Sequence, residues 1–221
     1  LAERNLILDK NELHDNIMLL DIGAGNTDIG VFEGTSFLYT NSIPVGGDNI
    51  TNDIALVLNI SEEEADKLKR QYGLALKSFI DNDNDIILNT CKDNNKNKII
   101  KSSELIEIIE ARIEEMFSIV NRDITNQGLK QKINNVILTG QGIVNINKSD
   151  VAGKINLNIP VKISTGRAIS TVKPIYRTSY ALVRYIAARP FAKTVSSSID
   201  TQSDESFVRN IWERIKEFFY S

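Results

Sequence analysis

Residues 19–32 read LLDIGAGNTDIGVF, in which an apolar stretch ends near Asp21, a glycine-rich turn follows, and a second apolar stretch begins. This pattern predicts two strands joined by a tight turn. Gly23 and Gly25 lack Cβ atoms, so the backbone can approach an anion closely and its N–H groups can form an anion-binding nest. Asp21 is placed to hold Mg²⁺ through its water ligands. The stretch predicts a phosphate-binding hairpin, with an ordinary Gly-Asn hairpin as the alternative.

Residues 43–73 read IPVGGDNITNDIALVLNISEEEADKLKRQYG. With the hairpin, this block resembles the FtsA family of actin-like bacterial cell-division proteins, which has similar IPVGG, IT-DIA and AE-LK-YG runs. The hairpin itself resembles the second phosphate loop of the wider actin, sugar-kinase and DnaK-type chaperone superfamily. The resemblance implies that Asp66, one methylene shorter than the family's usual glutamate, faces the ribose of a bound nucleotide, and that Lys69 lies near the adenosine. The alternative for both side chains is a solvated charged face.

Residues 133–144, INNVILTGQGIV, again place an apolar stretch before a glycine turn. This segment resembles the adenosine loop of the superfamily. Gly140 and Gly142 keep the close approach of the backbone, whereas Gln141 departs from the consecutive glycines that the family usually has. Because Gln141 lies beside the base, the choice between adenine and guanine stays open.

The resemblance covers about residues 15–190. It implies an α/β, actin-like (ribonuclease H-like) ATPase domain that binds ATP and Mg²⁺, with Asp21 as the Mg²⁺ residue. The implied nucleotide-binding residues are Asp21, Gly23, Gly25, Asn26, Thr27, Asp28, Gly47, Asp66, Lys69, Gly140, Gln141 and Gly142.

The resemblance also divides the chain into segments. They are the end of a preceding N-terminal half at 1–14, a nucleotide-binding subdomain at 15–73 and 131–190, a small inserted α+β subdomain at 74–130, a polar linker at 191–204 and a C-terminal amphipathic helix at 205–221. In the family, the preceding half supplies the wall opposite the nucleotide. We therefore assign no catalytic residue, and expect at most weak ATP hydrolysis in an intact two-half molecule.

Local patterns predict the main strands and helices. Alternating or continuous apolar residues predict strands at 17–22, 27–33, 37–44 and 85–88, and an apolar strand leading to Thr139. Helices are expected at about 48–58 and 61–71, the second capped by Ser61. A long helix, capped by Ser102 or Ser103, should run to about residue 127.

Composition limits the classes of function. The chain has 221 residues, 42% hydrophobic, and a net charge of -3 without a basic block, so nucleic acid is not an expected partner. Its single cysteine, Cys91, excludes an internal disulfide. Its single histidine, His14, has no neighbours spaced like a metal site or a serine-histidine-acid triad.

The long helix includes ELIEIIEARIEEMF, which resembles the family helix near which the C-terminal tail of FtsZ docks. Arg112 matches an arginine of that segment, and the resemblance implies a contact with a carboxylate-bearing peptide. The alternative is an i,i+3 ion pair with Glu115 on a solvated face.

Residues 191–204 read as a flexible linker, and residues 205–221 have an apolar face at helical spacing. Such a helix can lie in a membrane interface or dock on protein, and the family resemblance favours the membrane. Its apolar residues are Phe207, Val208, Ile211, Trp212, Ile215, Phe218 and Phe219.

The function implied by the resemblance is an ATP-binding cell-division scaffold. It would self-associate into filaments and tether FtsZ to the inner face of the cytoplasmic membrane at the division site, beside other division proteins, as a peripheral membrane protein. The alternative is a small-molecule phosphotransferase of the same superfamily. No residues outside the nucleotide loops suggest a catalytic base for that reaction.

Overall fold

A computed structural model describes residues 15–34, 36–88, 98–164 and 177–187. The predicted linker at 191–204 and tail helix at 205–221 lie outside these residues. In chain order the strands and helices are β1 (Ile17–Ile22), β2 (Thr27–Glu33), β3 (Ser36–Ile43), α1 (Gly47–Leu58), α2 (Glu62–Tyr72), β4 (Asp85–Leu88), β5 (Lys98–Lys101), α3 (Ser102–Asn126), β6 (Asn135–Thr139), α4 (Ser149–Leu157), β7 (Val161–Ile163) and α5 (Arg177–Ala187).

Five strands form one mixed sheet in the order β3-β2-β1-β6-β7. The central strand, β1, pairs antiparallel with β2 and parallel with β6. It is buried at every position except Asp21, as expected for an apolar strand covered on both faces. The predicted bounds of β1, β2 and β4 are confirmed, and β3 begins and ends one residue before its prediction.

The main core lies between the sheet and the helices α1 to α4. In α1, Ile50, Ile54 and Leu58 repeat at helical spacing and face this core, while Leu56 and Val57 remain exposed. Strands β4 and β5 form a separate hairpin, but their buried residues join the same core. The proposed division into a subdomain at 74–130 stays a prediction.

Two helix starts show different kinds of cap. The cap predicted for α2 is confirmed, since the Ser61 hydroxyl accepts a hydrogen bond from the Glu64 N–H at 3.3 Å. The cap predicted for α3 is wrong, because the helix begins at Ser102 and the Asp83 carboxylate accepts from the Ser103 N–H at 2.9 Å. Asp83 lies about twenty residues earlier, beyond the reach of a local capping pattern.

Several elements had no clear signal in the sequence. The short strands β5 and β7 and the helices α4 and α5 were not predicted. In particular, α4 follows Lys148, which has a left-handed backbone (φ of 63°). Glycine or asparagine usually occupies such a position, so the lysine did not indicate a helix start. Within the described ranges, no helix combines the length and apolar character needed to cross a membrane.

Candidate functional site

Three turns lie at one edge of the five-stranded sheet because of the strand pairing. β1 and β6 are parallel, with Asp21 opposite Thr139, so both strands end at this edge. β2 begins there and β3, antiparallel to β2, returns there. The hairpin turn (residues 23–26), the β3–α1 segment (residues 44–47) and the β6 turn (residues 140–142) therefore meet.

Glycines allow these three turns to touch through their backbones. A Cβ at Gly142 would lie 2.1 Å from the Gly23 carbonyl oxygen, and one at Gly46 would lie 2.4 Å from the Ala24 carbonyl oxygen. Gly140 also has a φ of 92°, a left-handed conformation that side chains disfavour. No side chain fits at these positions without displacing backbone.

Backbone hydrogen bonds join the same turns. The Gly47 N–H donates to the Gly23 carbonyl at 2.9 Å, and the Asp48 N–H donates to the Ala24 carbonyl at 2.8 Å. The Gly142 N–H donates to the last carbonyl of β1 at 2.9 Å. The hairpin turn therefore anchors both the start of α1 and the β6 turn.

The tip of the hairpin turn is more open. Ala24, Gly25 and Asn26 are exposed, and the turn is closed by a 2.9 Å hydrogen bond from the Gly23 N–H to the Asn26 carbonyl. A Cβ at Gly25 would have no neighbour within 4 Å among the described atoms. Packing therefore does not require glycine there, and its predicted part in a phosphate nest stays a prediction.

A cavity of about 140 Å³ lies beside these turns, between α1, α2 and the β6 turn. The structure brings five of the predicted residues to its wall: Gly47, Asp66, Lys69, Gln141 and Gly142. Asp48 and Asn145 also line it and were not predicted, because neither belongs to a motif. The other predicted nucleotide residues lie on the hairpin side and on β1, β2 and the start of the β6 turn.

Lys69 and Asp66 form a charged pair at the cavity wall. The Lys69 Nζ lies 3.1 Å from the Asp66 carboxylate, and the Arg70 Nε donates to the other carboxylate oxygen at 2.7 Å. Partial burial acts to raise the pKa of Asp66, but the hydrogen bonds and charges of Lys69 and Arg70 outweigh it and lower the pKa. The carboxylate is therefore ionised at neutral pH.

Lys69 also reaches α1. Its Nζ donates to the Gly47 carbonyl at 3.0 Å and to the Thr51 hydroxyl at 2.6 Å. Thr51 belongs to the IT-DIA run, but no role was predicted for it from the sequence, because its partner comes from another helix.

Asp21, Thr27 and Asp28 have three different environments. The half-buried Asp21 carboxylate lies next to Gly140, where a Cβ would come within 2.4 Å of its Oδ1. The buried Thr27 hydroxyl donates to the Val45 carbonyl at 2.7 Å, which ties β2 to the β3–α1 segment. The exposed Asp28 instead accepts from a hydroxyl of β3 at 2.6 Å. Among the described residues, no three His, Cys, Asp or Glu side chains are grouped as metal ligands.

Arg112 lies between α1 and α3. Its Nε and Nη2 donate to the two Asp53 carboxylate oxygens at 2.5 Å and 2.8 Å, and its Nη1 contacts Glu115. The hydrogen bond to Asp53 raises the pKa of the guanidinium. The predicted i,i+3 contact with Glu115 is present, but the bidentate pair with Asp53 was not foreseen.

A second cavity, of about 760 Å³, opens widely to solvent between the end of α2 and the starts of α3 and α4. Its wall includes Tyr72, Phe79, Asp81, Lys148 and Asp150. None of the residues predicted to bind nucleotide lines this cavity. We therefore do not assign a role to the cavity on the basis of its size.

The fold is shared with solved actin-like proteins. MreB5 of Spiroplasma citri bound to AMPPNP superposes with a TM-score of 0.69 at 18% identity, over 89% of this chain and 60% of that chain. MamK in a double helical filament gives a TM-score of 0.58 at 16% identity, over 81% of this chain and 56% of that chain. These likenesses show an α/β actin-like ATPase fold, as the sequence predicted.

Sequence comparison narrows the fold to a family. FtsA of Bacillus subtilis (strain 168) is 32% identical over 185 residues, which cover 84% of this chain and 42% of that protein. The chain spans about half the length of the curated relatives it matches. A family model described as Cell division protein FtsA matches residues 18–182. The chain therefore belongs to the FtsA family of cell division proteins.

Proposed function

We propose that this chain is the nucleotide-binding half of an ATP-dependent, actin-like cell-division scaffold. The observation that carries the proposal is the meeting of three glycine turns beside a cavity whose wall contains Asp66 and Lys69. Phosphate groups need close backbone approach and N–H groups, whereas a ribose needs a fixed acceptor. The exposed tip of the hairpin turn suits the phosphates, and the Asp66 carboxylate at the cavity wall suits the ribose.

In this proposal, the phosphates lie over the hairpin turn and the nucleoside enters the 140 Å³ cavity. Asp66 accepts a ribose hydroxyl, while Gln141 and Gly142 border the base. Asp21 holds Mg²⁺ through water, which suits a metal that keeps most of its hydration shell and binds few protein carboxylates. Two structures of MreB5 of Spiroplasma citri, one bound to ADP and one to AMPPNP, support nucleotide binding by a chain of this fold.

The scaffold self-associates into filaments and binds the C-terminal tail of FtsZ near α3, together with other division proteins. Filament formation is supported by the actin-like fold and by the filament of MamK. Arg112 already pairs with Asp53 and Glu115, so a peptide carboxylate must share or displace these partners. This pairing favours neighbouring parts of α3 as the principal peptide contact.

The tail carries the scaffold to the cytoplasmic face of the membrane at the division site. Its seven apolar residues, Phe207 to Phe219, would enter the interface, and many copies in one filament would multiply a weak single-helix affinity. The phosphotransferase alternative is not favoured, because the family model and the relatives are cell division proteins.

The nucleotide role is tested by titrating ATP with Mg²⁺ into the complete protein and its Asp21→Ala variant. We expect Asp21→Ala to weaken binding with Mg²⁺ more than binding measured in EDTA, because the change removes the proposed metal contact. Glu33→Ala, an exposed acid at the far end of β2, is the matched control. Equal Mg²⁺-dependent affinities in all three proteins would contradict the assignment.

The membrane role is tested by sedimentation with liposomes of bacterial lipid composition. The complete protein should pellet, whereas a version ending at Asp204 and the Trp212→Glu variant should stay in the supernatant. If all three sediment alike, the tail does not carry membrane binding.

A further inference from the structure

Lys69 uses its whole hydrogen-bonding capacity within the protein. An ammonium group has three donors. The Lys69 Nζ lies within 3.1 Å of three acceptors, namely the Gly47 carbonyl, the Thr51 hydroxyl and the Asp66 carboxylate. Its side chain is only 12% exposed, so these partners replace water. Lys69 therefore links the first turn of α1 to α2 and has no donor left for a ligand.

Thr51 supplies the shortest of these three contacts, at 2.6 Å. Thr51 is buried, and its hydroxyl also lies 3.3 Å from the carbonyl of Gly47, four residues earlier in α1. A hydroxyl that donates to this carbonyl presents its lone pairs to the ammonium. Valine has the same shape but lacks the acceptor.

The contact affects what Asp66 can do. One carboxylate oxygen faces Lys69 and the other accepts from Arg70, so each oxygen keeps acceptor capacity for a further donor. Asp66 lies at the cavity wall and is 34% exposed. Its orientation depends on where the Lys69 ammonium is held, since Arg70 is itself largely exposed.

We propose that Thr51 is a positioning residue, which fixes Lys69 so that Asp66 presents an acceptor to a ribose hydroxyl. This inference rests on the proposed nucleotide site. It adds that sugar recognition depends on a buried hydroxyl in α1 that does not touch the nucleotide.

The experiment measures the affinities of the complete protein for ATP and for its 2′-deoxy and 3′-deoxy analogues, with Mg²⁺. Wild type should prefer ATP over at least one analogue by roughly ten- to hundredfold, the usual effect of losing a hydrogen bond to a charged acceptor. Thr51→Val should reduce that preference by roughly three- to tenfold, and Thr51→Ser should restore it. Thr125→Val, which removes an exposed hydroxyl from α3, is the matched control and should leave the preference unchanged.

The ratio of affinities separates positioning from general damage. If Thr51→Val lowers the affinities for ATP and both analogues by the same factor, or leaves all three affinities unchanged, the inference is overturned. If Thr51→Val does not fold, Lys69→Met must show the same selective loss of preference, and an unchanged preference overturns the inference. A wild type that binds ATP without preference for either hydroxyl would overturn this inference but not the proposed nucleotide site, whereas a wild type that binds no ATP would overturn the proposed function itself.

Discussion

The glycine edge of the sheet and the contact between α1 and α3 are built in different ways. At the glycine edge, backbones meet, and Gly46, Gly140 and Gly142 leave no room for a Cβ. Between α1 and α3, side chains meet, and Arg112 pairs with Asp53 from a helix about sixty residues earlier. The glycine edge is encoded by short local motifs. The contact between α1 and α3 depends on side chains that are distant in sequence and that only the fold brings together.

The difference has an energetic consequence. Displacing packed backbone affects several loops at once, so a single added methyl group at the glycine edge should be costly. An ion pair at a partly exposed helix contact competes with water, so its removal should cost less. The expected effects of substitution therefore differ in size between the two regions.

The largest effect is expected for Gly142→Ala. Its Cβ would lie 2.1 Å from the Gly23 carbonyl oxygen, and we expect a loss of roughly 3 kcal/mol in the free energy of unfolding. Gly25→Ala, where no described atom lies within 4 Å, should change that free energy by about 0.5 kcal/mol or less. Urea unfolding of both variants would measure this, and equal losses would remove the distinction between packed and open glycines.

A smaller effect is expected for Arg112→Met. Asp53 would lose both hydrogen bonds at a contact where the two side chains are 23% and 24% exposed, so the loss should be about 1–2 kcal/mol. Arg122→Met, at an exposed position of the same helix, is the control. A double-mutant cycle with Asp53→Asn should give a coupling energy that accounts for most of the loss. A coupling energy near zero, together with lost binding of the FtsZ tail, would instead make Arg112 a partner contact.

The same contrast explains how far the sequence alone could predict this molecule. The bounds of β1 and β2 follow from period-2 and continuous apolar runs, and the glycine turns follow from local patterns. The partnership of Arg112 with Asp53 could not be predicted, because a charged residue gives no indication of which distant charge it will face. The contact of Thr51 with Lys69 could not be predicted for the same reason, because its partner lies on the neighbouring helix.

The smallest effect concerns pH and Asp66. Its pKa is lowered in the folded chain, so its ion pairs stabilise the fold above the unfolded-state value of about 3.9, and this contribution is lost as pH falls through the lowered value. We expect Asp66→Asn to be less stable than wild type by about 1 kcal/mol or less at pH 7, because the carboxylate is partly exposed. The difference should shrink below about pH 4. A difference that is independent of pH would show that the charge of Asp66 does not contribute to stability.

The most direct test of the nucleotide site uses Gly25→Val. A Cβ at Gly25 would meet no described atom within 4 Å, so we expect valine there to interfere mainly with a group that binds at the hairpin turn. Calorimetric titration of ATP with Mg²⁺ into the complete protein should show binding by wild type and a loss of at least about tenfold for Gly25→Val, with an unchanged melting temperature. Equal affinities in the two proteins would contradict the assignment of the hairpin turn to the phosphates.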